Sequence, residues 1–425
     1  MTLSDFIFKV KRFPMEEALK EAERLFSLSA DELSFHAEQK KWEIVKYHYK
    51  YNNFYNKLIG PTLPTNWEDI PIITKQHLQG NLRDIVPAHL SLNNCYISNT
   101  SGSSGHPFFF AKDKFTHALT WQIIRKLYLS TGINPSDLQA RFYGIPLEKW
   151  GYTKEIWKDK LLNRIRFPVF DLSDETLARF LEVFRQKKIY YVHGYTNSIV
   201  LFARYLIRKN IVLKDVCPTL KTCIVTSEVC TPEDKSLIEQ AFHVGVVREY
   251  GASELCIIAF DQPDGLWQVN NKSLFTEIEN GKQEGNLLCT SLYNQAFPMI
   301  KYRIGDIASL TANGKYINTL QGRTNDNIIL PSGKVSAGFT FYYVSRSILE
   351  SSGVLKEFII KQTALDHFIF EVVTDGDLDP SVIEQIRKKA ILYLEKGITI
   401  DIERKEFIER PASGKIKHFY SLLNK

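Results

Sequence analysis

The stretch from Ile189 to Asp234 constrains the fold more than any other part of this chain. It opens with a compact β-branched and aromatic run, Ile189–His193, followed by a helical pattern over Asn197–Lys209. A second apolar run, Thr222–Thr226, leads into Thr231-Pro232-Glu233-Asp234. There Thr231 is placed to cap a helix and Pro232 to fill its first position. Short apolar strands alternating with helices of ten or more residues indicate α/β layers with parallel strand pairing.

The flanking segments extend this pattern. Helical spacing predicts helices over Met15–Phe26, Trp42–Tyr55, Thr116–Thr131 and Asp171–Lys187, the last entered through Ser173. Trp67–Leu78 reads as a turn into a short helix with Thr74 at its N-cap. Near Cys95 a β-like run enters a Ser/Gly-dense loop, and a second β-like run starts at Phe108. Beyond Gly322 the character shifts to helix over Phe339–Leu349, strands over Phe358–Lys361 and Phe368–Val373, helix over Ser381–Leu394, and strand over Ile398–Ile402. Asp379, Pro380 and the Ser381…Glu384 pair supply a start for the last helix. At 425 residues the chain exceeds one ordinary core. The expected organisation is a large multi-layer α/β domain over 1–324 and a small α+β domain over 325–425.

Composition narrows the function classes. A formal net charge of +6 without a dense basic run argues against a nucleic-acid partner. The six cysteines, Cys95, Cys217, Cys223, Cys230, Cys256 and Cys289, form no C-x-x-C pair, so they are expected to be reduced, with no structural zinc. No stretch reaches the length needed to span a bilayer, and Met1–Arg12 lacks the apolar run of a signal peptide. A cytoplasmic protein, monomer or homodimer, is the expectation.

Four constellations carry candidate chemistry. In the loop Thr100-Ser101-Gly102-Ser103-Ser104-Gly105-His106-Pro107, glycines let the backbone approach a ligand while hydroxyls and N–H groups surround phosphate oxygens. A flexible hairpin connection would have the same composition. Tyr250-Gly251-Ala252-Ser253-Glu254 follows the apolar run Val244–Val247; a Glu there suits Mg²⁺, and the aromatic suits a nucleobase or an acyl group. A turn with a surface Glu is the alternative. Tyr302-Arg303-Ile304-Gly305-Asp306 and Gly322-Arg323-Thr324-Asn325-Asp326 offer an Asp for ribose hydroxyls and an Arg for phosphates, or else an Arg–Asp pair between two loops. Pro411-Ala412-Ser413-Gly414-Lys415 is, by itself, a solvated turn near the end of the chain.

Taken in order, these motifs resemble the adenylate-forming (acyl-activating) superfamily, whose pattern runs T-S-G-[ST]-T-G-x-P, aromatic-G-x-[ST]-E, Y-R-x-G-D, G-R-x-D-D and a terminal G-K. The spacing is similar to the compact phenylacetate–CoA ligase branch. The segment Phe167–Leu206 is closest to that branch's capsular-polysaccharide-biosynthesis relatives. The resemblance implies that a carboxylate attacks the α-phosphate of ATP, releasing pyrophosphate and leaving an acyl-adenylate. It implies that Thr100, Ser101, Gly102, Ser103, Ser104 and Gly105 hold the ATP phosphates and that Glu254 holds Mg²⁺. Ser253 would support the α-phosphate, with Tyr250 and Gly251 beside adenine and acyl group. Asp306 and Arg323 would grip the ribose, Asn325 would be the hinge of a mobile C-terminal domain, and Lys415 would stabilise the transition state.

Three positions depart from the family pattern. His106 stands where a lysine commonly precedes the proline, Asn325 replaces the hinge Asp, and the segment after Glu254 lacks clustered zinc-binding cysteines. Tyr143, His193, Tyr195 and Asn197 are the candidate border of the acyl pocket, although His193 also reads as a satisfied histidine near a strand end. The resemblance implies transfer of the acyl group to coenzyme A. An amine acceptor, giving an amide in capsule or surface-glycan biosynthesis, is the alternative, and a non-catalytic nucleotide-binding relative is the alternative from another class.

Overall fold

The structure, a computed structural model, describes residues 3–99, 108–144, 149–169, 172, 174–262, 266–323, 327–333, 335–337, 355–374, 376, 378–409 and 419–423. The expected α/β alternation forms. Strands Tyr191–Tyr195 and Thr222–Thr226 bracket the helix Thr196–Arg208, and the helix Pro232–Phe242 follows. Thr231 accepts from the Asp234 N–H while Asp234 accepts from the Thr231 N–H, a reciprocal cap on that helix.

Five strands run parallel in the order Arg164–Phe167, Gln139–Phe142, Tyr191–Tyr195, Thr222–Thr226 and Gly245–Ala252. Register assigns their two faces, because successive side chains of a strand point to opposite sides. Phe142, Phe167, Val192 and Val225 share one face and pack with Phe180, Phe184 and Phe202 of the covering helices. The Phe142 and Phe167 rings stack at 4.9 Å. The alternate residues, Gln139, Arg141, Arg164, Arg166, Tyr191, His193 and Glu249, fall on the opposite face.

Past Ala252 the sheet turns antiparallel through Cys256–Asp261 and Trp267–Val269. Strands Tyr316–Arg323, Tyr302–Leu310, Glu284–Ser291 and Leu274–Ile278 complete eleven. The Ser/Gly loop joins an antiparallel hairpin, Cys95–Asn99 with Phe109–Asp113. A four-stranded sheet orders Thr399–Arg404, His367–Thr374, Leu355–Ala364 and Phe419–Ser421, and its Phe368, Phe370 and Val372 share a core with Ile386 and Ala390 of the helix Pro380–Tyr393. The chain divides into a large compact unit, Met1–Ile304 with Ser309–Asn318, and a smaller one, Gly305–Ala308 with Thr319–Lys425. Each is a mixed α/β structure, the fold class expected.

Local expectations fail where side chains reorganise the backbone. The helix predicted over Trp42–Tyr55 breaks at Asn52, which leaves helical angles, accepts from the Tyr55 N–H at 3.0 Å and donates to the Ile85 carbonyl at 2.8 Å. Thr74 caps no helix: its N–H donates to the His77 ring, Lys75–Leu78 is a turn, and Ile73 bridges to Tyr302 instead. The start expected at Asp379 and Pro380 does form: the helix Pro380–Tyr393 is capped by Asp379, which accepts from the Ser381 N–H at 2.8 Å. Ser173 and the helix expected over Phe339–Leu349 lie outside the described residues.

Candidate functional site

Open α/β sheets present ligands at the carboxyl ends of their parallel strands. Gly245–Ala252 ends there in the turn Ser253-Glu254-Leu255 before the chain returns as Cys256–Asp261. Gly251 permits this reversal: a Cβ on it would lie 2.2 Å from the Cys256 carbonyl oxygen, and the pairing register slips beside it. Glu254 is buried, and the Tyr302 hydroxyl donates to its Oε1 at 3.1 Å. Ser253 is exposed, and its carbonyl accepts from Lys112 Nζ at 3.4 Å. Burial pulls the Lys112 ammonium below its ordinary range, against the opposing pull of Cys256 and Glu254. Lys112, on the strand Phe109–Asp113 that leaves the Ser/Gly loop, was not singled out from the sequence.

Tyr250 is half-buried, with its ring 5.8 Å from that of Trp267 at a steep angle. Trp267 is in turn covered by Arg248, which pairs with Asp261 at 2.8 Å. In the smaller unit, Asp306 is buried and follows Gly305, whose φ of +93° falls within the strand Tyr302–Leu310 and not at a tight turn. Arg323 closes the strand Tyr316–Arg323. Thr100, Ser101, Gly102, Ser103, Ser104, Gly105, Asn325 and Lys415 lie outside the described residues.

Three of the four candidate acyl-pocket residues come together. The Tyr143 ring lies 4.5 Å from that of Tyr195 and 5.4 Å from His193. Asn197 is the second residue of the helix Thr196–Arg208, where its N–H donates to the Glu228 carboxylate at 2.8 Å. His193 does not sit at a strand end; it is the middle residue of Tyr191–Tyr195. Its Nε2 lies 3.5 Å from Glu249, and its Nδ1 lies 3.5 Å from Arg141 Nη1. Glu249 accepts from the Tyr128 hydroxyl at 2.8 Å. Burial lowers the pKa of His193, outweighing the opposite pull of Glu249. Burial alone would raise Glu249, but its bonds to His193 and Tyr128 and the Arg141 charge bring it below the ordinary carboxylate range.

Arg141, Arg164, Glu249 and Tyr128 were not singled out from the sequence. The available signal was the alternation of Gln139 and Arg141 with Ala140 and Phe142, a strand apolar on one side only. Among the described residues no three His, Cys, Asp or Glu side chains are grouped to hold a metal. Glu254 offers a single carboxylate, with no hydrogen bond to Oε2 among those residues, which fits a magnesium ion whose other ligands are phosphate oxygens and water.

No protein-family model matches the chain. It is similar to Protein CapK of Staphylococcus aureus, at 24% identity over 395 residues, covering 86% of this chain and 82% of that protein. Its structure is similar to that of 2-hydroxyisobutyryl-CoA ligase in the postadenylation state in complex with R3-HIB-AMP, with a TM-score of 0.69, 17% identity, and coverage of 93% of this chain and 90% of that one. It is also similar to the amide bond synthetase McbA from Marinactinospora thermotolerans, with a TM-score of 0.51, 16% identity, and coverage of 74% and 66%.

Proposed function

Starting from a chain with the fold of the adenylate-forming superfamily and a CapK-type relative in sequence, we propose that it is an AMP-forming ligase. It activates a small carboxylic acid with ATP and passes the acyl group to an acceptor. The observation that carries this reading is the turn after Gly245–Ala252, where a buried glutamate, Glu254, stands at the carboxyl end of a parallel strand. Its motif lies in sequence between the Ser/Gly loop and the Gly-Asp and Gly-Lys motifs.

In this reading the acid's carboxylate attacks the α-phosphorus, the bond to the bridging oxygen breaks, and pyrophosphate leaves. Little covalent work falls to the protein, so catalysis is positioning and charge neutralisation. Thr100, Ser101, Gly102, Ser103, Ser104 and Gly105 hold the phosphates, and Glu254 holds Mg²⁺, which neutralises phosphate charge when bound. Ser253 supports the α-phosphate, Tyr250 and Gly251 flank the adenine, and Asp306 with Arg323 grips the ribose. Lys415 delivers its ammonium to the reacting oxygens. Residues 1–324 form the ATP- and acyl-binding domain and 325–425 the mobile domain, pivoting at Asn325, a division later in the chain than that of the compact units, which put Gly305–Ala308 and Thr319–Arg323 with the smaller one. A cytoplasmic setting supplies the ATP.

Coenzyme A is the first acceptor to test, since 2-hydroxyisobutyryl-CoA ligase is among the structural neighbours. An amine is the second, because an amide bond synthetase is among them too. The deciding assay is acid-dependent exchange of labelled pyrophosphate into ATP, run on wild type and Lys415→Ala. The reading fails if no carboxylic acid in a broad panel supports exchange. With an acid in hand, mass spectrometry of products formed with coenzyme A or amino sugars separates thioester from amide.

A further inference from the structure

A parallel sheet covered by helices ordinarily buries apolar side chains on both faces. Here the face opposite the phenylalanine core carries Arg141, Arg164, Arg166 and His193 within three adjacent strands. These charges are unequally compensated. Arg166 is held by Asp159 at 2.5 Å and Glu155 at 3.0 Å, and it donates to the Gly144 carbonyl. Nearby Asp137 is occupied by Lys221 at 2.8 Å. Glu249 takes its bonds from Tyr128 and His193.

Arg141 and Arg164 therefore have no carboxylate at ion-pair distance among the described residues. They also repel each other, and burial followed by the Arg141 charge pulls Arg164 down to about 10. Arg141 Nη1 makes only long contacts, 3.4 Å to Gln139 and 3.5 Å to His193. Its Nε is buried and has no partner among the described residues. The Nε–Nη2 edge, the side-on fork that takes a carboxylate with two parallel bonds, thus carries no hydrogen bond among the described residues. The Tyr143 ring lies 3.8 Å from the guanidinium carbon and sets the plane of that fork. Arg141 is half-buried, so its Nη2 end is open to a ligand, while a buried Nε left unbonded is costly unless something else fills it.

The same Tyr143 ring contacts Tyr195 and His193, the candidate border of the acyl pocket. We propose that Arg141, backed by Arg164, receives a second anionic group of the acid being activated, so that the substrate is a dianionic acid. The distal group is a carboxylate or a phosphate. This inference rests on the ligase reading for the role of the bound acid, whereas the anion site itself stands on the geometry of Arg141.

The test is calorimetric binding of matched acids to the full chain without ATP: butanedioate against butanoate, phosphoglycerate against glycerate, and homologues of two to eight carbons. At least one dianionic acid is expected to bind about tenfold or more tightly than its monoanionic partner, the strength of a charge-assisted pair. The carboxylate and phosphate arms identify the distal group. Arg141→Gln is expected to abolish the gap, and Arg141→Lys to restore only part of it, because an ammonium lacks the fork. Should Arg141→Gln fail to fold, Arg164→Gln is expected to narrow the same gap. No gap with any pair, or a gap that survives Arg141→Gln and Arg164→Gln, overturns the proposal. Pyrophosphate exchange with the same acids separates the two claims: an Arg141-dependent gap without exchange sinks the ligase reading alone, and exchange driven equally by monoanionic acids sinks the dianion proposal alone.

Discussion

At the scale of single residues, the turn Ser253-Glu254 gathers opposite charges. Lys112 donates to the Ser253 carbonyl, and the buried Glu254 carboxylate is bonded by Tyr302. Glu254→Gln keeps an oxygen for Tyr302 and removes only the charge. In the proposed role this lowers the adenylation rate about 10²-fold with little change in Tm, the magnitude seen when one oriented electrostatic contact is lost. Stopped-flow pyrophosphate release, read beside a melting curve, checks it. His48 offers a pH test of another kind. Its Nε2 donates to the Asn294 carbonyl at 2.9 Å, its Nδ1 accepts from Asn52, and complete burial pulls its pKa to about 4. Because the folded value is depressed below the ordinary 6.5, the unfolded chain takes the proton first on acidification. Stability from this group is complete above pH 6.5 and declines towards pH 4, by about 3 kcal/mol for that gap. Urea titrations across this range should show the decline, and His48→Gln should remove its share.

At the scale of elements, chain ends and turns were legible where a local side chain decides them. Thr231 and Pro232 announced their helix, and Thr231→Ala is expected to cost about 1–2 kcal/mol in chemical denaturation, without altering the slope. The break at Asn52 was not legible, because it depends on the Ile85 carbonyl, 33 residues away. The strands Gln139–Phe142 and Arg164–Phe167 escaped for a related reason. Each is four residues long and polar at alternate positions, so neither shows the apolar run that marked Thr222–Thr226. The candidate site divides in the same way. Contiguous motifs such as Tyr250–Glu254 are visible in sequence, whereas Arg141, His193 and Glu249 meet only through strand order.

At the scale of the whole molecule, each of the two compact units has a core of its own. One is built on Phe142, Phe167, Phe180 and Phe202, and the other on Phe358, Phe368, Phe370 and Ile386. Two cores of different size need not melt together. Differential scanning calorimetry is expected to give a calorimetric enthalpy larger than the van't Hoff value, and agreement of the two would mean that the cores unfold as one. The strands and the last helix of the smaller unit were legible in the sequence beyond Gly322. The assignment of Gly305–Ala308 to it was not, since four residues inside a strand carry no compositional mark.

The alternation of faces in the parallel strands has a consequence for how such a protein diversifies. Phe142 and Arg141, or Val192 and His193, are adjacent in sequence yet serve opposite surfaces. Substitutions confined to Gln139, Arg141, Tyr191 and His193 rewrite the polar surface while the phenylalanine core stays as it is. A single inserted or deleted residue does the reverse, because it exchanges the two surfaces along the whole strand. Point changes can therefore remake the chemistry of this surface without touching the core, while the lengths of these short strands are held fixed.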